Sequence, residues 1–181
     1  MSTSRFCALS LMVCGLVPSG AGAAPRDRSE SFSITIPTPY DQALEVVREV
    51  SSDAVIHGAA QYDAESTIDG ADTADSSPDF PQWKGPGAVL FKVRPKTIAP
   101  SNFKGSRDIG TVTLRYIVER IGPNETRLTI DAVFVEDNRH GRHPSQGLVE
   151  VAEFAEIAQR LKHSDAADGR QQVQAKAAPK N

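Results

Sequence analysis

TVTLRYIVERIGPNETRLTIDAVFVED, from Thr111 to Asp137, reads as two strands joined by a tight turn. Val112, Leu114, Tyr116 and Val118 alternate with Thr113, Arg115, Ile117 and Glu119. Leu128, Ile130, Ala132 and Phe134 alternate with Thr129, Asp131, Val133 and Val135. A period of two marks half-buried strands with one face on a core. Pro123 and Asn124 suit the two central positions of a type I turn. A slip of one residue would oppose an apolar face to a polar one, so parity is fixed. Placing Arg120 opposite Thr126 sets Glu119 against Arg127, Ile117 against Thr129 and Arg115 against Asp131. It also stacks Val118, Tyr116, Leu114 and Val112 on Leu128, Ile130, Ala132 and Phe134. The next allowed register loses both ion pairs. Each exposed pair contributes only about 0.2–1 kcal/mol, so the pairs select the register rather than hold the fold.

Upstream of the hairpin, Ala88 to Arg94 is a further strand that Pro95 ends. Its apolar members Val89, Phe91 and Val93 are expected inward, and Lys92 and Arg94 outward. Residues 97–104 are less regular, with Pro100 suited to an edge or a bend. Phe80-Pro81-Gln82-Trp83-Lys84-Gly85-Pro86-Gly87 holds the sole Trp. Phe80 and Trp83 either line the mouth of an apolar pocket or plug one end of the core. Asp63 to Pro81 is acidic and rich in small residues. It lacks the spacing of a calcium loop and is expected to be a solvated loop. Ala54 to Tyr62 is expected to be a strand. Phe32, Ile34 and Ile36 form a first strand that Pro37 stops. Thr38-Pro39-Tyr40-Asp41 starts a helix, with Thr38 as cap and Pro39 at its first position. Leu44, Val47 and Val50 continue it, and Ser51-Ser52-Asp53 closes it.

Downstream, Glu136 to Pro144 is a polar loop. A last helix spans Leu148 to Lys162, with Leu148, Val151, Phe154, Ala155, Ala158 and Leu161 on one arc. Early glutamates and late basic residues suit its dipole. Residues 164–181 are polar and aperiodic and are expected to be disordered.

The 181 residues carry a formal charge of -3, which gives no reason to expect nucleic-acid binding. Residues 1–24 have the form of a secretory signal: Arg5, an apolar run from Phe6 to Val17 too short to span a membrane, and an Ala21-Gly22-Ala23 cleavage site. The expected product is an exported chain, periplasmic or extracellular, with no transmembrane segment. Both cysteines, Cys7 and Cys14, fall in that signal, so no mature disulfide or thiol chemistry is expected.

Chemistry is sparse. No G-x-S-x-G or H-E-x-x-H occurs. His140 and His143 with Asp137 have loose metal-ligand spacing, but Gly141 opposes a helix there and Arg139 and Arg142 repel a cation. His57 falls in an expected strand with no partner nameable from sequence. No catalytic, cofactor or metal residue is assigned.

A strand, a helix, a strand, then sequential antiparallel strands and one long helix give an α+β fold, with helices packed on one face of an antiparallel sheet. The order resembles the helix-grip fold of the START/SRPBCC superfamily, which includes birch-pollen-type allergens and polyketide cyclases. The resemblance covers residues 31–163. It rests on Phe32-Ser33-Ile34-Thr35-Ile36, the helix from Thr38-Pro39, the hairpin, and Leu148 to Leu161. One early helix stands where that family has two. The resemblance implies a cavity between sheet and last helix for a lipid or other apolar molecule, with Phe91, Tyr116, Phe134 and Phe154 as lining. Trp83 is the further candidate at its mouth. The alternative is that these side chains fill the core. Three readings follow: an exported non-enzymatic binding module, an envelope structural or interaction protein without a cavity, and, last, a hydrolase or cyclase using His57 or His140.

Overall fold

A computed structural model describes residues 31–58, 70–98, 100 and 102–177. Its elements are β1 (Phe32–Ile36), α1 (Tyr40–Ser51), β2 (Asp72–Ala74), β3 (Ala88–Ile98), β4 (Ile109–Gly122), β5 (Glu125–Glu136), β6 (Arg142–Pro144) and α2 (Leu148–Ala177). The strands form one six-stranded sheet in the order β1-β5-β4-β3-β2. All of its pairings are antiparallel. β1 and β6 share the outer edge of β5: β1 takes Thr126 to Ile130 and β6 takes Val133 to Val135. The fold is α+β, as expected.

The central hairpin has the register that parity and charge pairing predict. Arg120 faces Thr126, Glu119 faces Arg127, Ile117 faces Thr129 and Arg115 faces Asp131. Val112, Leu114, Tyr116 and Val118, with Leu128, Ile130, Ala132 and Phe134, all lie in the main core, beneath the buried face of α1. A bulge at Ile121 precedes the turn.

β3 corrects the sequence reading twice. It continues through Pro95 to Ile98, because a bulge between Arg94 and Thr97 takes the proline out of the ladder. Its faces are also reversed. Register places Leu90, Lys92 and Arg94 beside Tyr116, Leu114 and Val112, on the helix-covered inner face. Val89, Phe91 and Val93 point to the outer face, where Phe80, Phe91 and Val133 make a second apolar cluster. Both faces of the sheet are therefore covered, and an apolar residue can satisfy either.

α2 is rotated from the expected arc. Its buried row is Val149, Glu153, Ile157 and Leu161, with Glu150 beside it, whereas Leu148 and Val151 are 58% and 50% exposed. The helical backbone also runs to Ala177, into the stretch expected to be disordered, in line with the helix propensity of its Ala, Gln, Arg and Lys residues. Pro39, not Thr38, stands at the cap of α1, without a side-chain cap bond. The Thr38 carbonyl instead accepts the buried Thr126 hydroxyl at 2.8 Å. Residues 54–58 are turn and loop rather than strand, with Ala54 and Gly58 at φ 61° and 74°. The remainder of that expected strand, residues 59–62, lies outside the described residues. The acidic stretch contributes β2, and the polar loop after the hairpin contributes β6. Among the described residues no helix is long and apolar enough to cross a membrane.

Candidate functional site

Two places concentrate chemistry, one on each face of the sheet. The inner one starts from Lys92, which β3 points under α2 and which is 0% exposed. A buried ammonium needs acceptors on every side. Lys92 Nζ donates to the Val55 carbonyl at 2.5 Å, to Asp53 Oδ1 at 3.0 Å and to both Glu153 oxygens at 3.3 Å. Glu153 also accepts the Tyr116 hydroxyl at 2.9 Å and the His57 backbone N–H at 2.8 Å. Asp53 closes α1 and faces outward from the cluster. Its Oδ2 accepts from Arg160 at 2.6 Å and lies 3.1 Å from His57 Nε2. Arg160 also donates to Glu156 at 2.7 Å.

Charge sets the titration of this cluster. Burial raises the Glu153 carboxyl above its ordinary range, with Lys92 and the donated hydrogen bonds offsetting only part of it. Burial also pushes Asp53 upward, but hydrogen bonds from His57 and Lys92 and the Lys92 charge bring it below the usual aspartate value. The Tyr116 hydroxyl is raised well above its ordinary range by burial and by the adjacent Glu153 charge.

Asp53, His57 and Glu156 place ligand atoms within 4.8 Å of one another, the spacing of a metal-ligand group. Lys92 and Arg160 already neutralise those carboxylates, so the group has no excess negative charge to attract a cation. His57 and Asp53 also have the geometry of a general-base dyad. Among the described residues, however, Asp53 is the sole hydrogen-bond partner of the His57 ring, and no hydroxyl approaches it as a nucleophile. The network is best read as a polar staple holding α2 and the end of α1 to β3.

The outer place is a recess of about 370 Å³ between β3 and the segment after β2, lined by Phe80, Trp83, Val89 and Phe91 among others. A second depression of about 410 Å³ adjoins it across Ser76 and Ser77. The covering segment is pinned at Asp79, whose carboxylate accepts the Thr113 hydroxyl at 2.5 Å and whose carbonyl accepts Arg142 at 2.6 Å. The Trp83 ring folds over Gly85, where a Cβ would lie 2.4 Å from it, and donates to the Pro86 carbonyl at 3.0 Å. The ring is still 38% exposed. Beneath, the Arg115 guanidinium lies 4.6 Å from the Phe80 ring centre and 6.0 Å from that of Trp83. It is held there by Asp131 at 2.6 and 3.0 Å. The Arg115–Asp131 pair, expected on an open face, is therefore buried under aromatic rings.

The five aromatic candidates do not converge. Trp83 and Phe91 share the outer recess. Tyr116 and Phe134 are fully buried on the inner face, Tyr116 against Glu153 and Phe134 against Phe103 and His143. Phe154 is half-buried and packs on Phe32 at 5.5 Å. His143 is not brought to His140 as a metal ligand: it lies in β6, where its ring contacts the Lys104 carbonyl at 3.0 Å and Glu136 at 3.2 Å. Sequence reasoning did not find Lys92, Asp53, Glu153 and Arg160. The signal for Glu153 was its place in the row with Val149, Ile157 and Leu161. That for Asp53 and His57 was their spacing of four.

Comparison with protein-family models, curated proteins and solved structures returned no match.

Proposed function

We propose that this chain is an exported, non-enzymatic binding module that takes a small apolar molecule in the outer recess, rather than between the sheet and α2. The observation that carries this reading is the set Phe80, Trp83, Val89 and Phe91 around about 370 Å³, a volume suited to a small ligand. Apolar walls and one exposed aromatic edge favour an apolar guest, and Asp75, also on the lining, disfavours an anionic one. The inner face offers less, since Tyr116, Phe134 and the Lys92 network occupy the ground where such a cavity would lie. The secretory form of residues 1–24 supports export. The strand order, with β1 beside β5 and a closing helix on one face, suits the helix-grip resemblance.

Trp83 is the sole tryptophan and reports on its own site. Titration with decanol is expected to give a saturable change in tryptophan emission that Phe80→Ala weakens at least tenfold. A non-saturating change, or one untouched by Phe80→Ala, would count against the recess. The interaction-protein reading rests on Leu148 and Val151, whose exposure beside Phe32 leaves an apolar patch at the start of α2. It predicts that Leu148→Lys abolishes capture of an envelope partner while leaving decanol binding intact.

A further inference from the structure

The outer recess of about 370 Å³ joins apolar walls to charge of one sign. Phe80, Trp83, Val89 and Phe91 form the apolar part. Among the described residues Asp75 is the sole charged side chain on the lining. It is exposed and has no hydrogen-bond or ion-pair partner among them. The depression across Ser76 and Ser77 continues the same sign. Asp79, Glu136 and Asp137 line it, and His140 is the sole basic group there among the described residues. Two cations stand nearby, and both are engaged. Arg115 is paired with Asp131, and Arg142 donates to the Asp79 carbonyl. A cleft lined by one sign of charge concentrates ions of the other.

The rings on this face suit a cation too. The negative face of an aromatic ring attracts positive charge, most strongly in Trp. Phe80 and Trp83 already have the Arg115 guanidinium beside them, 4.6 and 6.0 Å from their ring centres. Asp131 neutralises that guanidinium, so it does not oppose a second cation on the open side.

We propose that the guest of the outer recess is an amine, a protonated ammonium group on an apolar body. The body lies against the aromatic walls, and Asp75 takes the ammonium. This rests on the recess being a binding site and adds the charge of its ligand. An ammonium has three N–H donors and no acceptor. Asp75 accepts one, and the Ser76 hydroxyl and Gln82 amide oxygen on the same lining are acceptors for the others. An alcohol leaves the Asp75 charge unmatched, and a carboxylate meets it as a like charge. A hard divalent cation calls for a shell of oxygen ligands and leaves the apolar walls unused. An exposed ion pair contributes little by itself, so Asp75 selects among guests that the walls already hold.

The test is titration of the full chain with decylamine, decanol or decanoate, read by Trp83 emission at neutral pH and low salt. Decylamine is expected to bind about fivefold tighter than decanol, and decanoate more weakly than either. Asp75→Asn is expected to remove the advantage of the amine and to leave decanol binding unchanged. Glu45→Gln makes the same change of charge at an exposed position on α1 and is expected to leave that advantage in place. If decanol binds saturably and Phe80→Ala weakens it, yet decylamine binds no tighter, the recess stands and the amine is overturned. The amine is overturned equally if Asp75→Asn keeps the preference or Glu45→Gln removes it. If neither decanol nor decylamine binds, the recess is overturned and the amine with it.

Discussion

Lys92 concentrates the energetics of the inner face in one atom. Its ammonium joins β3 to Asp53 at the end of α1 and to Glu153 on α2, 39 and 61 positions away. Removing one partner of a buried pair leaves the other uncompensated, a loss of about 3–5 kcal/mol. Lys92→Met is therefore expected to destabilise by that amount in urea unfolding, and Lys92→Met with Glu153→Leu to recover a large part of it. A double variant no more stable than the single one would remove Glu153 as the main partner. The pH dependence follows from the same groups. Burial raises Glu153 and Glu150, so the folded state holds more protons than the unfolded chain above the ordinary glutamate value of about 4.3. Their contribution is present below that value and is lost as pH rises through the raised folded pKa. Asp53 has the opposite sign: burial opposes ionisation, but the bonds from His57 and Lys92 prevail. Its contribution is present above the ordinary aspartate value of about 3.9 and fades as pH falls through its lowered folded pKa. Stability is expected to peak at mildly acidic pH, with Glu153→Gln flattening the neutral limb and Asp53→Asn the acid limb of urea midpoints against pH.

At the scale of elements, the lesson is about faces. The hairpin was legible because its two strands alternate cleanly and their charges pair across the ladder. β3 was misread because the rule that apolar residues face the core assumes one core. Here Val89, Phe91 and Val93 answer to Phe80 on the outer face, while Lys92 and Arg94 go inward. The partners that make Lys92 tolerable lie far away in sequence, so no local pattern displays them. α2 was rotated for the same reason: its buried row contains a glutamate that local reading assigns to solvent. The outer recess was half legible, in Phe80 and Trp83, but the strand that completes it was assigned to the other face. Gly58 fixes how closely α2 approaches the loop after α1. At φ 74°, a Cβ there would lie 2.7 Å from Ala152 Cβ and 2.8 Å from the Leu148 carbonyl. Gly58→Ala is expected to cost about 1–3 kcal/mol through strain and lost packing, read as a lower urea midpoint.

The whole molecule is a sheet with two unequal covers. One is two helices over an apolar and ionic interior. The other is a short segment pinned at Asp79. Thr113→Val removes the 2.5 Å bond to that carboxylate and is expected to loosen the outer cover, speeding hydrogen exchange across residues 76–83 while the hairpin amides stay protected. Equal acceleration in both regions would mean that the covers open together.

The place of β1 has a consequence for the order of events during synthesis. Ser33 pairs with Thr129, 96 positions later. β1, the first of the described strands in chain order, is thus one of the last to find its neighbour, and until Ile130 has emerged its pairing edge is incomplete. β3, β4 and β5 follow one another and can zip locally, so the hairpin is the natural nucleus and β1 the closing event. Substitutions at Ile34 are then expected to change the unfolding rate, and those at Leu114 the folding rate, in stopped-flow kinetics. A nascent chain halted before Glu125 would hold a waiting strand that a holdase, or another copy of the same strand, could capture.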